Sequence, residues 1–184
     1  AITLNELAAG QIILESYVEA AGNLNRAIEL ENSSATETRT KARTKQLLAQ
    51  CAYGGRDYVT AETTSRQAIE LWQQVGNAKA SESLPAHLAL IRALCAQNKL
   101  DDAKAAYEVA RVLAAGDSDL PEQVSGDLRQ CLALLCLAEG DAQTAETILK
   151  ELLGTRQRTF GLKDPLAAET MILLGQVYRE EKLY

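Results

Sequence analysis

The chain has 184 residues with 19 Lys and Arg against 25 Asp and Glu, a net charge of −6 and a pI near 4.9. It is rich in Ala and Leu and only 4% aromatic, which favours helix over sheet because these side chains lose little rotamer freedom in a helix. No apolar run approaches the roughly 20 residues a bilayer span needs, and the acidic balance gives little field for a phosphate backbone, so neither membrane nor nucleic acid is expected as a partner.

Apolar residues at three-and-four spacing predict helices over 4–14, 17–31, 36–53, 57–75, 84–97, 100–115, 121–139, 142–158 and 165–181. Thr3 with Glu6 reads as a capping box ahead of the first. Asp119 before Pro121 and Asp164 before Pro165 read as helix starts, while Gly76, Gly116 and Gly140 stand where helices should stop. Four cysteines, at 51, 95, 131 and 136, fall inside these helices without a CxxC pairing. They are expected to be reduced, half-buried thiols, and a cytoplasmic location is expected with them.

The elements repeat. Tyr17-Val18-Glu19-Ala20 with Ala27-Ile28-Glu29-Leu30 is matched by Tyr58-Val59-Thr60-Ala61 with Ala68-Ile69-Glu70-Leu71, an offset of 41 residues. Copies follow 42 residues apart at Leu100-Asp101-Asp102-Ala103 and Ala142-Gln143-Thr144-Ala145, and a last step reaches Glu181-Lys182-Leu183-Tyr184. Small residues recur where two helices would cross closely: Ala8, Ala49, Ala133 and Gly175 on the first helix of each pair, and Ala20, Ala61, Ala103 and Ala145 on the second. The expected units are 1–41, 42–83, 84–125, 126–167 and a half unit 168–184, forming one domain that reads as a fragment of a longer protein. The last helix would lack its covering partner, and self-association through it is one expectation.

This pattern resembles the tetratricopeptide repeat (TPR): Leu132-Ala133, Gly140-Asp141 and Ala145 in one unit, Leu174-Gly175 and Tyr178 in the last. The usual TPR period is about 34 residues. The longer period, with Arg158-Thr159-Phe160-Gly161-Leu162-Lys163-Asp164-Pro165, is similar to the kinesin-light-chain variety, although no His precedes Pro165. The resemblance implies an all-α, right-handed α-solenoid of stacked antiparallel helix pairs, about four and a half units, acting as a non-catalytic scaffold that binds a protein or peptide partner. The alternative it leaves is a sensing or regulatory arm of a larger signalling protein, attached to an ATPase or a transcription regulator.

No catalytic constellation is found. A single histidine, His87, excludes HExxH and multi-His metal sites and reads as a packing residue. Cys131 and Cys136 read as core, and Asp117-Ser118-Asp119 lacks the later ligands of a calcium loop. Leu149-Lys150-Glu151-Leu152-Leu153 spells LxxLL, but its leucines are expected in the core, and Asn32-Ser33-Ser34 is a glycosylation sequon without meaning in the cytoplasm. No metal and no cofactor are expected.

In a stacked solenoid the first helices line the concave face. Alignment of the units assigns that groove to Arg43, Gln46, Gln50 and Tyr53, then Leu88, Arg92 and Cys95, then Asp127, Gln130, Leu134 and Leu137, then Glu169, Ile172, Gln176 and Arg179. Amides, charges of both signs and an apolar middle suit an extended or helical peptide. Chaperone-tail repeats hold a terminal carboxylate with cations. The matching places here carry Gln46, Gln50, Pro85, Ala89, Asp127 and Cys131, so no such clamp is expected.

Overall fold

The computed structural model describes residues 1–32, 37–161 and 163–181. These form the helices α1 (Ile2–Ile13), α2 (Tyr17–Asn32), α3 (Thr38–Gly54), α4 (Tyr58–Gln74), α5 (Ala80–Ala96), α6 (Leu100–Ala115), α7 (Glu122–Ala138), α8 (Ala142–Phe160) and α9 (Pro165–Glu181). The sequon at 32–34, Leu162 of the last linker and the final copy at 182–184 lie wholly or partly outside the described residues.

Odd-numbered helices are the first members of antiparallel pairs and even-numbered helices the second. The first helices α1, α3, α5 and α7 each pack on their partners, and each second helix packs on the first helix of the next pair. Successive first helices also touch, α1 on α3, α3 on α5 and α5 on α7, whereas successive second helices do not pack on one another to a comparable extent. Elements that approach closely lie on the inside of a curve, so the odd helices form the concave wall. The core is correspondingly broken into successive layers, one around Ala8, Leu24 and Leu47, one around Leu84, Ile91 and Leu135, and one around Leu149, Leu174 and Val177.

Sterics at the crossings explain the period. Ala8, Ala49, Ala20, Ala61, Ala103 and Ala145 are fully buried and Ala133 almost so, each where a larger side chain would push two helix axes apart. Gly175, expected at the same kind of crossing, instead faces open space, because no described helix covers that side of α9. Ile91 occupies the column of Ala49 and Ala133 and is itself fully buried, so the third pair accommodates a branched side chain there.

The turn inside each pair also repeats. Glu15, Arg56, Asn98 and Gly140, spaced 41, 42 and 42, are all left-handed, with φ of 57°, 63°, 59° and 83°. The following amide reaches back to close the helix end: Ser16 to the Gln11 carbonyl at 2.8 Å, Asp57 to Ala52 at 2.8 Å, Lys99 to Leu94 at 2.9 Å and Asp141 to Cys136 at 2.9 Å. Asp57 and Asp141 then cap the second helices, their carboxylates accepting from the Thr60 and Thr144 amides. Gly54 is required for contact rather than conformation, since a Cβ there would lie 2.2 Å from the Tyr17 ring.

Three helix starts differ from expectation. α1 begins at Ile2 on an Ala1 N-cap with no side-chain cap, which places Thr3 inside the first turn and removes the Thr3–Glu6 box. α5 begins at Ala80 rather than 84, because the Glu82 carboxylate accepts from the Lys79 amide at 3.0 Å and fixes the first turn earlier. Pro85 consequently lies within α5, and the Ser81 carbonyl loses the N–H that an ordinary residue at 85 would offer it. α7 starts at Glu122 with Pro121 as its N-cap, and the Asp119 amide is taken by the Asp117 side chain at 3.1 Å instead. At α9 the Asp164 carboxylate does accept from Leu166, at 2.8 Å.

Candidate functional site

The concave wall is a set of columns, each made of one position in successive first helices. Gln50, Arg92, Leu134 and Gln176 form one such column, and all four are half-buried. Beside it run Tyr53, Cys95 and Leu137, also half-buried, ending in the exposed Arg179, and on the other side Arg43, Asp127 and Glu169. Tyr53 stacks obliquely against Tyr58 with ring centroids 5.7 Å apart, and burial pushes its phenol above the ordinary value. These residues are brought to one face by the 42-residue repeat, which gives the first helices α3, α5, α7 and α9 the same length and equivalent places in the stack.

One expected column is withdrawn from the groove. Gln46 is fully buried, and Leu88 and Gln130 are 3% and 1% exposed, so none of them presents a side chain to a partner. The correction has a physical cause. This column points sideways into the joint between a first helix and the second helix of its own pair. Gln46 accepts from the Trp72 indole at 3.0 Å, and Gln130 accepts from the Arg156 guanidinium at 2.6 Å. Ile172, in the same column of α9, is 64% exposed, with Met171 and Tyr178 also open, because no described helix packs on that side of α9.

Arg156 organises the other end of the groove. Its side chain is 1% exposed, and it donates to Gln130, to the Leu166 carbonyl at 3.0 Å, to the Thr170 hydroxyl at 2.8 Å and to the Asp127 carboxylate at 2.6 Å. Asp127 also faces the Arg92 guanidinium at 3.8 Å, and Gln130 passes a hydrogen bond on to Glu169 at 2.9 Å. Burial works against the Arg92 charge, but the Asp127 and Glu169 carboxylates near it favour the cation. Burial pushes Asp127 above the ordinary carboxylate value, opposed by Arg92 and Arg156. The result is an alternating ladder of Arg92, Asp127, Arg156, Gln130 and Glu169 across three units. Sequence reasoning missed Arg156 because it sits on a second helix. Its signal was a pair of residues 26 apart, Gln46 with Trp72 and Gln130 with Arg156, recurring two repeats later.

The groove offers no activated nucleophile. Burial pushes the Cys131 thiol up to about 11 and Cys95 up to about 12, so both stay protonated at neutral pH. His87 is 8% exposed and burial lowers its pKa, which keeps the ring neutral in a packing role. Leu149 and Leu152 of the LxxLL match are buried. Among the described residues no group of three or more His, Cys, Asp or Glu could hold a metal ion, and no helix is long and apolar enough to cross a membrane.

No protein-family model matches the sequence, and no curated protein does. Solved structures do match in shape. BtubC (BKLC) from P. vanneervenii superposes with a TM-score of 0.64 at 20% identity, covering 95% of this chain and 66% of that one. A kinesin-light-chain-like protein of Podosopora anserina with nearly identical TPR-like repeats gives 0.64 at 16% identity, covering 98% of this chain and 86% of that one, and a variant of it gives 0.66. The fold is a TPR-like α-solenoid. The likeness to these neighbours is one of backbone architecture, all-α and built from stacked helix pairs, and the 41–42-residue unit is the TPR-like unit of this chain.

Proposed function

We propose that this TPR-like solenoid is a non-catalytic interaction scaffold that binds a peptide or helix of a partner protein in its concave groove, in the cytoplasm. The observation that carries the reading is the column of Gln50, Arg92, Leu134 and Gln176, half-buried side chains of mixed chemistry presented by four successive first helices. Spacing of this kind suits a long, extended ligand contacted a few residues at a time. Arg92 supplies a fixed charge for orientation, Leu134 an apolar seat, and the amides of Gln50 and Gln176 can bond to a peptide backbone. The general tendency of TPR repeats to mediate protein–protein contacts supports the same reading.

The test is affinity capture with the full chain as bait beside a triple variant, Gln50→Glu, Arg92→Glu and Leu134→Glu. Loss of the captured partner with an unchanged helical circular-dichroism spectrum supports the groove. A variant that stays folded and still captures the same partner defeats it. The exposed side chains of Met171, Ile172 and Tyr178 on α9 favour self-association as a second reading, which predicts a concentration-dependent mass in light scattering.

A further inference from the structure

The polar groups that neutralise one another around Arg156 have no equivalent closure at the opposite end. Between the first turns of α1, α3 and α5 lies a cavity of about 460 Å³, within the usual range for small-ligand sites. Arg43 and Glu6 both line it, yet they form no ion pair with each other or with any other described side chain. Partial burial lowers the Arg43 pKa, and the exposed guanidinium has no counter-ion among the described side chains.

One buried acceptor on the same cavity also lacks a donor. Asn5 is 5% exposed; its amide nitrogen donates to Thr44 at 2.7 Å, but its side-chain oxygen is buried without a hydrogen-bond partner. Beside it lies the half-buried Ser81 carbonyl, to which Pro85 offers no N–H. Arg39, the other cation on the wall, is not available to a ligand, since it is held by Glu82 and Asn77 and lies over the Trp72 ring. A buried unmet acceptor costs about 1–3 kcal/mol, and a ligand that supplies the donor recovers it.

We propose that this cavity binds a small zwitterion of amino-acid size with an apolar side chain. Its carboxylate pairs with Arg43, beside the Thr40 hydroxyl. Its ammonium meets Glu6, the Asn5 oxygen and the Ser81 carbonyl, and its side chain packs on Ile2, Ala9 and the Trp72 edge. The site goes beyond the groove reading and stands whether or not a peptide binds there, so a small-molecule titration separates the two.

The experiment is calorimetric titration of the full chain with L-phenylalanine and L-leucine, alongside L-phenylalaninamide, which lacks the carboxylate, and N-acetyl-L-phenylalanine, which lacks the ammonium. Saturable one-to-one binding of at least one free amino acid is expected, with each blocked analogue weakened by about tenfold or more, the loss of one charge-assisted contact. Arg43→Gln and Glu6→Gln, both at exposed positions, should weaken the free amino acid to a similar extent while leaving the helical signal unchanged. Absence of binding by both amino acids overturns the proposal. So does equal binding of N-acetyl-L-phenylalanine, which would mark a plain anion site, or undiminished binding to Arg43→Gln and Glu6→Gln.

Discussion

The two ends of the groove are built on the same positions and finished differently. At 41- and 42-residue steps, the second helices place Glu31, Trp72, Ala114 and Arg156 against the first-helix column Asn5, Gln46, Leu88 and Gln130. The first joint is a hydrogen-bonded chain from Asn5 through Thr44 to Glu31, and the second is an indole on an amide. The third is wholly apolar, and the fourth is a buried guanidinium that satisfies two side-chain oxygens, a carbonyl and a hydroxyl. Backbone period alone fixes where the joint falls. The residue pair filling it decides how its polar groups are met: the Arg156 guanidinium bonds four acceptors and leaves only its Nε over, whereas at the first two joints the Asn5 oxygen and the Gln46 amide nitrogen stay unpartnered.

The strongest way to break this comparison is Arg156→Ala. Removing one partner of a buried ion pair leaves Asp127, Gln130 and Thr170 facing a void, and a loss of roughly 3–5 kcal/mol is expected. Because solenoid units are coupled mainly to their neighbours, the loss should be confined to α7–α9. Amide exchange should accelerate there while α1–α4 stay protected, with an earlier separate phase in urea unfolding. Uniform loss of protection along the chain would show that the two ends are not independent.

At the other end, Trp72→Phe sharpens the same contrast on a smaller scale. Phenylalanine keeps most of the packing on Ala42, Ala68 and Ala86 but removes the indole N–H. The Gln46 amide nitrogen is already unpartnered, so its oxygen would join it, at a cost of about 1–3 kcal/mol. A chemical-denaturation midpoint that moves less than for Arg156→Ala is the expected result, and the reverse order would contradict the assignment of Arg156 as the tighter closure.

The middle of the solenoid has its own signature in pH. His87 of α5 is buried on the side facing α4 and α6, with a pKa below its ordinary value of 6.5. The unfolded chain therefore takes the proton first as pH falls, so stability is complete above about 6.5 and declines below it, by at most about 1.4 kcal/mol per pH unit. His87→Gln should flatten that slope between pH 6.5 and the depressed folded value, measured by urea midpoints across pH.

The repeat, the helix order and the small residues at crossings were legible because they answer to sterics, which recur at each turn of the pattern. Ala20, Ala61, Ala103 and Ala145 could be named from spacing and are all fully buried. The column of Gln46, Leu88 and Gln130 was misplaced because it lies at the edge of the apolar stripe, where a rotation of one residue exchanges groove for joint. Its side is decided by a partner 26 residues away on another helix, and polar pairs of that kind leave no periodic apolar signal. The column of Gln50, Arg92, Leu134 and Gln176 is half-buried, and no comparable polar pair to a second helix is seen for it among the described residues.

The smallest expected effects come from the turns, where the comparison can be made without touching either joint. Glu15, Arg56 and Asn98 hold the same left-handed backbone that Gly140 adopts freely. For a side chain with a Cβ this conformation costs roughly 1–2 kcal/mol, least for Asn, whose short amide tolerates it. Replacement by glycine relieves that strain but adds about 0.4–1 kcal/mol of unfolded-chain entropy. Arg56→Gly and Glu15→Gly should thus stabilise by about 0.5 kcal/mol each, Asn98→Gly should be near neutral, and Gly140→Ala should destabilise by about 1 kcal/mol. Each change belongs to one unit, so thermal midpoints of the combined Glu15→Gly, Arg56→Gly variant should rise by the sum of the single shifts. A shortfall would mean that adjacent turns share strain through the α2–α3 joint, and that the units are less separable than the difference between the two ends implies.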